Sequence, residues 1–349
     1  MSFLRSLITL CLLLSLSGCL RRSGQPEVIV YTALDREFSE PIFKQFEKET
    51  GIHVRPNFDF ESTKTVGLVN AIIAESERRT RCDVFWNNEI VNTLRLDELG
   101  LLDAYRPAEA DSFPSEFCST KNKWFGFAAR ARVLIVNTEV VPEDERPDSI
   151  YDLLDPKWKG KTGIAKPLFG TTASHAACLF EALGEAKAEE FFDGLVNNDV
   201  QILSGNKQVA KDVASGRLAF GLTDTDDAMI ELEDAHPVAI VYPDSKPGEI
   251  GTLFIPNTIS ILRDAPHPQA AKKLVDYLLT AQVETKLAQG KSAQIPLHSG
   301  VQLDLRVETP KSIHAMNVEF KTVAKQWGQV REYLSKKFSL ASDKSSSVK

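Results

Sequence analysis

Cysteine and histidine are scarce in this chain, and that scarcity removes most metal and thiol chemistry. Five cysteines occur in 349 residues, at 11, 19, 82, 118 and 178. No CxxC pair is among them, so a thiol-built zinc site has nothing to start from. The six histidines (His53, His175, His236, His267, His298 and His314) show no ligand spacing. GxGxxG, GxSxG and HExxH are all absent. Gly160-Lys161-Thr162 and Gly290-Lys291-Ser292 imitate the end of a phosphate-binding loop, but the glycine that motif requires five positions earlier is Asp155 or Thr285. Positive charge is short as well. Lys and Arg number 41 against 48 Asp and Glu, a net charge of −7, which argues against nucleic acid or anionic lipid as the main partner. Beyond the first residues no apolar run approaches 18, so no later segment reads as membrane-spanning.

What is present begins at the N-terminus. Arg5 precedes an apolar run from Leu7 to Leu16, too short to span a bilayer and suited to a secretory signal. The stretch Leu16-Ser17-Gly18-Cys19 resembles a lipobox, in which the cysteine is lipidated and becomes the new N-terminus. Residues 1–18 then form a lipoprotein signal peptide, Cys19 carries the lipid, and 19–27 form a polar spacer. An ordinary signal peptide with an incidental Cys19 is the alternative; both place the chain outside the cytoplasm. Cys11 leaves with the signal, so Cys82, Cys118 and Cys178 can form at most one disulfide.

Along the mature chain, strands and helices alternate. Val28-Ile29-Val30-Tyr31 reads as a buried strand, followed by Phe38, Ile42, Phe43 and Phe46 at helical spacing, with Gly51 as a stop. Val66, Val69, Ile72 and Ile73 mark a helix, and Asp83-Val84-Phe85-Trp86 another strand. This rhythm implies a mainly parallel sheet with ligands bound at the carboxyl ends of its strands. β-rich stretches at 124–137 and 251–262 interrupt it, and a second α/β run fills about 160–245. Two α/β lobes joined by such crossings predict a hinged α/β fold with a ligand cleft. Lobe 1 is expected over 28–125 plus about 256–305, and lobe 2 over about 130–252 plus about 308–338. Residues 339–349 read as a disordered tail.

Polar residues gather after the strands. Asp35 follows the first strand, and Asn88-Glu89 follow the strand ending at Trp86, itself more readily a core residue than a cleft wall. Gly170-Thr171-Thr172 opens a helix whose free N–H groups suit an anion, although a plain Thr cap explains the same sequence. Thr223-Asp224-Thr225-Asp226-Asp227 follows the strand over 218–222. Thr225 capping with acids in the first turn is good helix chemistry without any ligand. Yet three carboxylates within four residues repel unless a cation or donors compensate them. Lys64, Lys166 and Lys207 are available for that role or simply lie on the surface.

Three stretches, Tyr31-Thr32-Ala33-Leu34-Asp35, Asp83-Val84-Phe85-Trp86-Asn87-Asn88-Glu89 and Asp155-Pro156-Lys157-Trp158-Lys159-Gly160-Lys161, resemble bacterial extracellular solute-binding proteins. The resemblance is strongest to the ferric-iron-binding branch and covers roughly 27–335. It implies the two-lobed, hinged periplasmic-binding-protein fold and delivery of a ligand to an ABC permease in the membrane. It further implies a monomer with no catalytic residues. The branch grips iron with a histidine, a glutamate and two adjacent tyrosines. Here those positions hold Asp35, Asn88 (with Glu89 beside it) and Asp226-Asp227. The anion half of that site corresponds to Thr171, Thr172 and Asn206. The implied ligand residues are thus Asp35, Asn88, Glu89, Thr171, Thr172, Asn206, Thr223, Asp224, Asp226 and Asp227. Asp35, Glu89, Asp226 and Asp227 would serve as metal ligands if the cargo is Fe(III) with a synergistic anion. The alternative cargo is a small zwitterion such as an aminoalkyl phosphonate, its ammonium on Asp226-Asp227 and its phosphonate on the helix N–H groups. An extracellular enzyme on a similar scaffold is a third reading.

Overall fold

Among the described residues, short apolar strands that alternate with amphipathic helices form one continuous sheet of ten strands. The computed structural model describes residues 25–60 and 65–345, with backbone alone over 339–345. The expected signal segment over 1–18, Cys19 and Lys64 lie outside the described residues.

The first lobe opens with β1 (Glu27–Thr32), α1 (Arg36–Thr50), β2 (His53–Phe58), α2 (Val66–Ser76), β3 (Val84–Asn87), α3 (Val91–Glu98) and the short β4 (Leu102–Asp103). Strand β1 pairs in parallel with both β2 and β3. Helix α1 buries Ile42, Phe43 and Phe46. It ends at Gly51, whose φ of +70° is a left-handed cap that glycine adopts without a Cβ clash.

Strand β5 (Trp124–Asn137) is 14 residues long and buried throughout. At about 3.4 Å per residue it spans more than 40 Å. The second lobe then holds β6 (Thr162–Ala165), α4 (Gly170–Leu183), α5 (Glu185–Asn197), β7 (Gln201–Leu203), α6 (Asn206–Ala214), β8 (Phe220–Asp224), α7 (Thr225–Glu233) and β9 (Val238–Val241). The chain returns through β10 (Phe254–Leu262), α8 (Pro268–Leu278) and α9 (Ala281–Gln289), and closes with α10 (Phe320–Ser345).

The strand order is β2-β1-β3-β10-β5-β8-β6-β7, with β4 on β10 and β9 on β5. Strand β5 pairs with β10 over 124–131 and with β8 over 132–136, so one strand belongs to both lobes. The changeover is marked by two irregularities. Ala128 takes a φ of +42°, and β10 shifts register between Ile255 and Asn257. Such bulges bend a strand and re-aim its side chains. A third crossing lies beside them, where Ala129 and Ile295 exchange two N–H···O bonds of 2.7 Å.

Several expectations differ from these elements. Strand β8 ends at Asp224, two residues later than expected, which places Thr223 and Asp224 within it. The terminal helix continues to Ser345, beyond the point where a disordered tail was expected at 339. That helix was assigned to lobe 2, but it packs against both α3 and α4. Its residues Val323, Trp327, Val330, Leu334 and Phe338 share one apolar cluster with Val91 and Leu94 of the first lobe and Ala177 and Phe180 of the second. Burying five such side chains contributes on the order of 10 kcal/mol before chain entropy is counted. Cys82, Cys118 and Cys178 are all unpaired. Burial pushes the Cys82 and Cys178 thiols well up, and that of Cys118 up to about 11.

Candidate functional site

The carboxyl ends of β1, β3, β6 and β8 point at one another across the junction of the lobes. Between them lies a cleft of about 520 Å³, counting its open mouth. Asp35 and Asn88 line it from the first lobe; Lys166, Thr171, Thr172, Asn206, Asp224, Asp226 and Asp227 line it from the second. Eight of the ten residues singled out in the sequence therefore meet in one place. Glu89 and Thr223 do not reach the lining. Glu89 is fully buried and faces the opposite lobe, where Ser174 donates to it at 2.6 Å, with Asn87 at 2.9 Å on its other oxygen. Burial raises its pKa against those bonds. The Thr223 hydroxyl donates to the Asn206 carbonyl at 3.0 Å, which fixes the start of α6. Trp86 is core, packed on Phe43 and Phe127. Lys207 stands at the mouth, paired at 2.6 Å with Glu37 of the facing lobe. That bond and the nearby Asp35 and Asp227 outweigh partial burial and raise its pKa.

Two residues under the cleft floor were not anticipated. Arg130 and Arg132 lie two apart on β5, hence on one face of the strand, and both are at most 1% exposed. The sequence signal was there: a pair of same-face cations inside a 14-residue apolar strand must be compensated. Arg130 Nε donates to Asp226 Oδ2 at 2.9 Å and Nη2 to Asn257 Oδ1 at 3.1 Å, while Nη1 donates to the Asn88 carbonyl. Burial pulls its pKa down, but Asp226 and Asp224 more than offset this and leave it raised. Arg132 Nη1 donates to Asp224 Oδ1 at 2.6 Å and to Asn206 Oδ1 at 3.1 Å. Its Nε lies 3.4 Å from His175 Nδ1, and burial, then the Arg132 charge, holds His175 well below its usual range. Neutral His175 can therefore accept from that guanidinium. Arg132 Nη2 is buried without a hydrogen-bond partner among the described residues.

The first turn of α4 completes this end. Gly170, Thr171 and Thr172 present N–H groups with no intrahelical acceptor, and neither hydroxyl caps its own helix. Thr171 instead donates to Asp224 Oδ2 at 2.5 Å and Thr172 to Asn206 Oδ1 at 3.0 Å. Thr225, expected to cap α7, accepts from the Ala131 N–H at 3.1 Å, and Asp224 occupies the cap position. Carboxylate oxygens of Asp224, Asp226 and Asp227 come within 4.8 Å of one another, a spacing that could hold a cation. Two of those three acids already face a buried guanidinium at 2.6 and 2.9 Å. No tyrosine or histidine is among the described residues lining the cleft.

Two α/β lobes sharing long central strands, with polar groups converging between them, define a two-lobed binding protein. The chain belongs to the bacterial extracellular solute-binding protein family, whose pattern matches residues 93–320. It is 26% identical over 296 residues to "Iron uptake protein A1" of Synechocystis, covering 81% of this chain and 79% of that protein. A shorter similarity, 26% over 159 residues and 46% of that protein, links it to a "Putative 2-aminoethylphosphonate-binding periplasmic protein" of Salmonella typhimurium. Among solved structures, iron-bound HitA from Pseudomonas aeruginosa superposes with a TM-score of 0.79 at 22% identity, over 88% of this chain and 99% of that one. AfuA from Actinobacillus pleuropneumoniae, with exogenous fructose-6-phosphate bound, gives 0.81 at 22%, over 91% and 100%. Among the described residues no helix is long and apolar enough to cross a membrane.

Proposed function

We propose that this chain is a lipid-anchored, extracytoplasmic receptor of an ABC importer, and that its cargo is a small zwitterion carrying a phosphonate or phosphate group. The observation that carries this reading is the pairing of Asp224 and Asp226 with buried arginines. A ferric ion needs several unshared hard oxygen donors; of the four candidate ligands Asp226 already shares an oxygen with the Arg130 guanidinium and Glu89 is turned out of the cleft, while the neighbouring Asp224 is bound to Arg132. The same arginines favour an anion. At one end the N–H groups that open α4 have no intrahelical acceptor, and the Arg132 charge, with its Nη2 uncommitted, lies beneath them; together they suit an anion. At the other, Asp35, Asp226 and Asp227 suit an ammonium. A ligand with both charges satisfies both ends, which neither a bare cation nor a bare anion does. The similarity to an aminoethylphosphonate-binding protein and to a fructose-6-phosphate complex supports a phosphorus-bearing cargo.

Ferric iron with a synergistic anion is the second reading, favoured by the names of the iron-uptake relative and of iron-bound HitA. In it Asp35, Asp226 and Asp227 would bind the metal while the α4 terminus held the anion. Native mass spectrometry of protein purified from its own host, with metal analysis of the same sample, separates the two. An added mass matching an organic phosphorus compound in an iron-free sample supports the proposal. Stoichiometric iron replaces it.

A further inference from the structure

The loop between α2 and β3 carries Arg78, Arg79 and Arg81, all exposed, in a chain that is acidic overall. The surface around it pairs Arg55 with Glu27 at 3.4 Å, Arg263 with Asp264 at 3.8 Å and His267 with Glu27 at 3.7 Å. Among the described residues no carboxylate forms an ion pair with Arg78, Arg79 or Arg81. The loop borders a shallow depression together with Glu27, Ile29, Pro266 and His267. Glu27 is where β1 begins, so the loop sits at the amino edge of the parallel strands, opposite the edge that forms the cleft.

That edge is also where the chain arrives from its N-terminus. Five residues separate Cys19 from Gln25, the first described residue, which makes six Cα-to-Cα steps. Fully extended they reach about 20 Å. An acyl chain on Cys19 therefore holds this pole of the first lobe close to the bilayer, within a few Debye lengths of about 8–10 Å. The remainder of the protein, net negative, is repelled by an anionic surface.

We infer that Arg78, Arg79 and Arg81 form a docking surface for anionic phospholipid headgroups, which orients the anchored receptor with its cleft directed away from the membrane. This rests on the lipid-anchor reading of Cys19. Each arginine near an anionic leaflet gains roughly a fivefold preference, so three together favour this orientation on the order of a hundredfold at low salt. The acidic total charge masks this run; its effect comes from where the fold places it.

The experiment uses the full-length lipidated protein, carrying a donor dye on Thr80→Cys, reconstituted on vesicles with acceptor-labelled lipid. One set is pure phosphatidylcholine and the other contains phosphatidylglycerol. Energy transfer is expected to rise on the phosphatidylglycerol vesicles and to fall back to the phosphatidylcholine value at high salt. Arg78→Gln, Arg79→Gln and Arg81→Gln together should remove the rise while leaving thermal unfolding unchanged. Equal transfer on both vesicles, with the protein floating alongside each, overturns the docking surface and leaves the anchor intact. A protein that floats with neither overturns the anchor, and the docking surface with it.

Discussion

Replacing Arg132 with methionine probes the group on which the proposed anion end is built. Methionine keeps an unbranched stem while removing the charge and every donor. In the native protein Arg132 Nη1 lies 2.6 Å from Asp224 Oδ1, with the two side chains only 0% and 5% exposed. Breaking a buried pair by deleting one partner costs about 3–5 kcal/mol, since the remaining charge keeps its desolvation penalty. The cost belongs at the lower end, because Thr171 and Asn206 still donate to Asp224 Oδ2 at 2.5 and 2.9 Å. For a chain of this size a loss of about 3 kcal/mol lowers the midpoint of thermal unfolding by roughly 4–5 °C. Adding Asp224→Asn removes the stranded charge, so the double variant should recover much of the loss rather than add to it. The ligand arm is independent. Loss of hydrogen bonds to a charged group, about 1.5–3 kcal/mol, should weaken 2-aminoethylphosphonate by roughly ten- to 150-fold in calorimetric titration. An Arg132→Met protein that unfolds like wild type, with strictly additive effects in the double variant, would refute the buried-pair reasoning.

His175 is kept neutral by burial and by Arg132, so acid favours the unfolded chain, which takes up a proton there below about pH 6.5. Relative to His175→Gln, wild type should therefore lose up to about 1.4 kcal/mol per pH unit on acidification below 6.5; parallel stability–pH curves in urea titrations would disprove this. The Glu37–Lys207 pair links the lobes across the mouth and is partly exposed, so Lys207→Glu should change closure by no more than about 1 kcal/mol. Small-angle scattering should show an expanded ligand-free Lys207→Glu protein, with Glu37→Lys/Lys207→Glu restoring compaction; identical radii would remove the pair from any role in closure. Cys19→Ser should release the protein into the soluble fraction, and a variant that stays membrane-bound would dispose of the lipobox reading.

The alternation of strands and helices was legible because each β–α unit announces itself through apolar period and glycine stops. The cleft residues were legible for a topological reason. Asp35, Asn88, Thr171 and Asp226 each follow a strand in a parallel arrangement, and the carboxyl ends of such strands converge whatever the side chains. Register was harder. Glu89 is one residue beyond Asn88, and a single step sends the side chain toward Ser174 instead of the cleft. Arg130 and Arg132 escaped notice because charge normally marks a solvated surface, and their partners Asp224 and Asp226 lie more than ninety residues away in sequence. The segment over 308–338 was expected in lobe 2, whereas both lobes contribute to what covers α10. Long-range compensation of this kind depends on tertiary placement, which periodicity does not encode.

The most direct measurement is a paired titration of metal-free protein with 2-aminoethylphosphonate and with ferric citrate, followed by calorimetry and thermal unfolding. Ligand that binds only the native state raises the unfolding midpoint, by about 2.7 kcal/mol of added stability at a hundred times its dissociation constant. The expected result is saturable, stabilising binding of the aminophosphonate that Asp226→Ala plus Asp227→Ala abolishes, with no response to ferric citrate. Tight ferric binding lost in that same double variant, with the aminophosphonate silent, would contradict the zwitterion assignment and restore iron as the cargo.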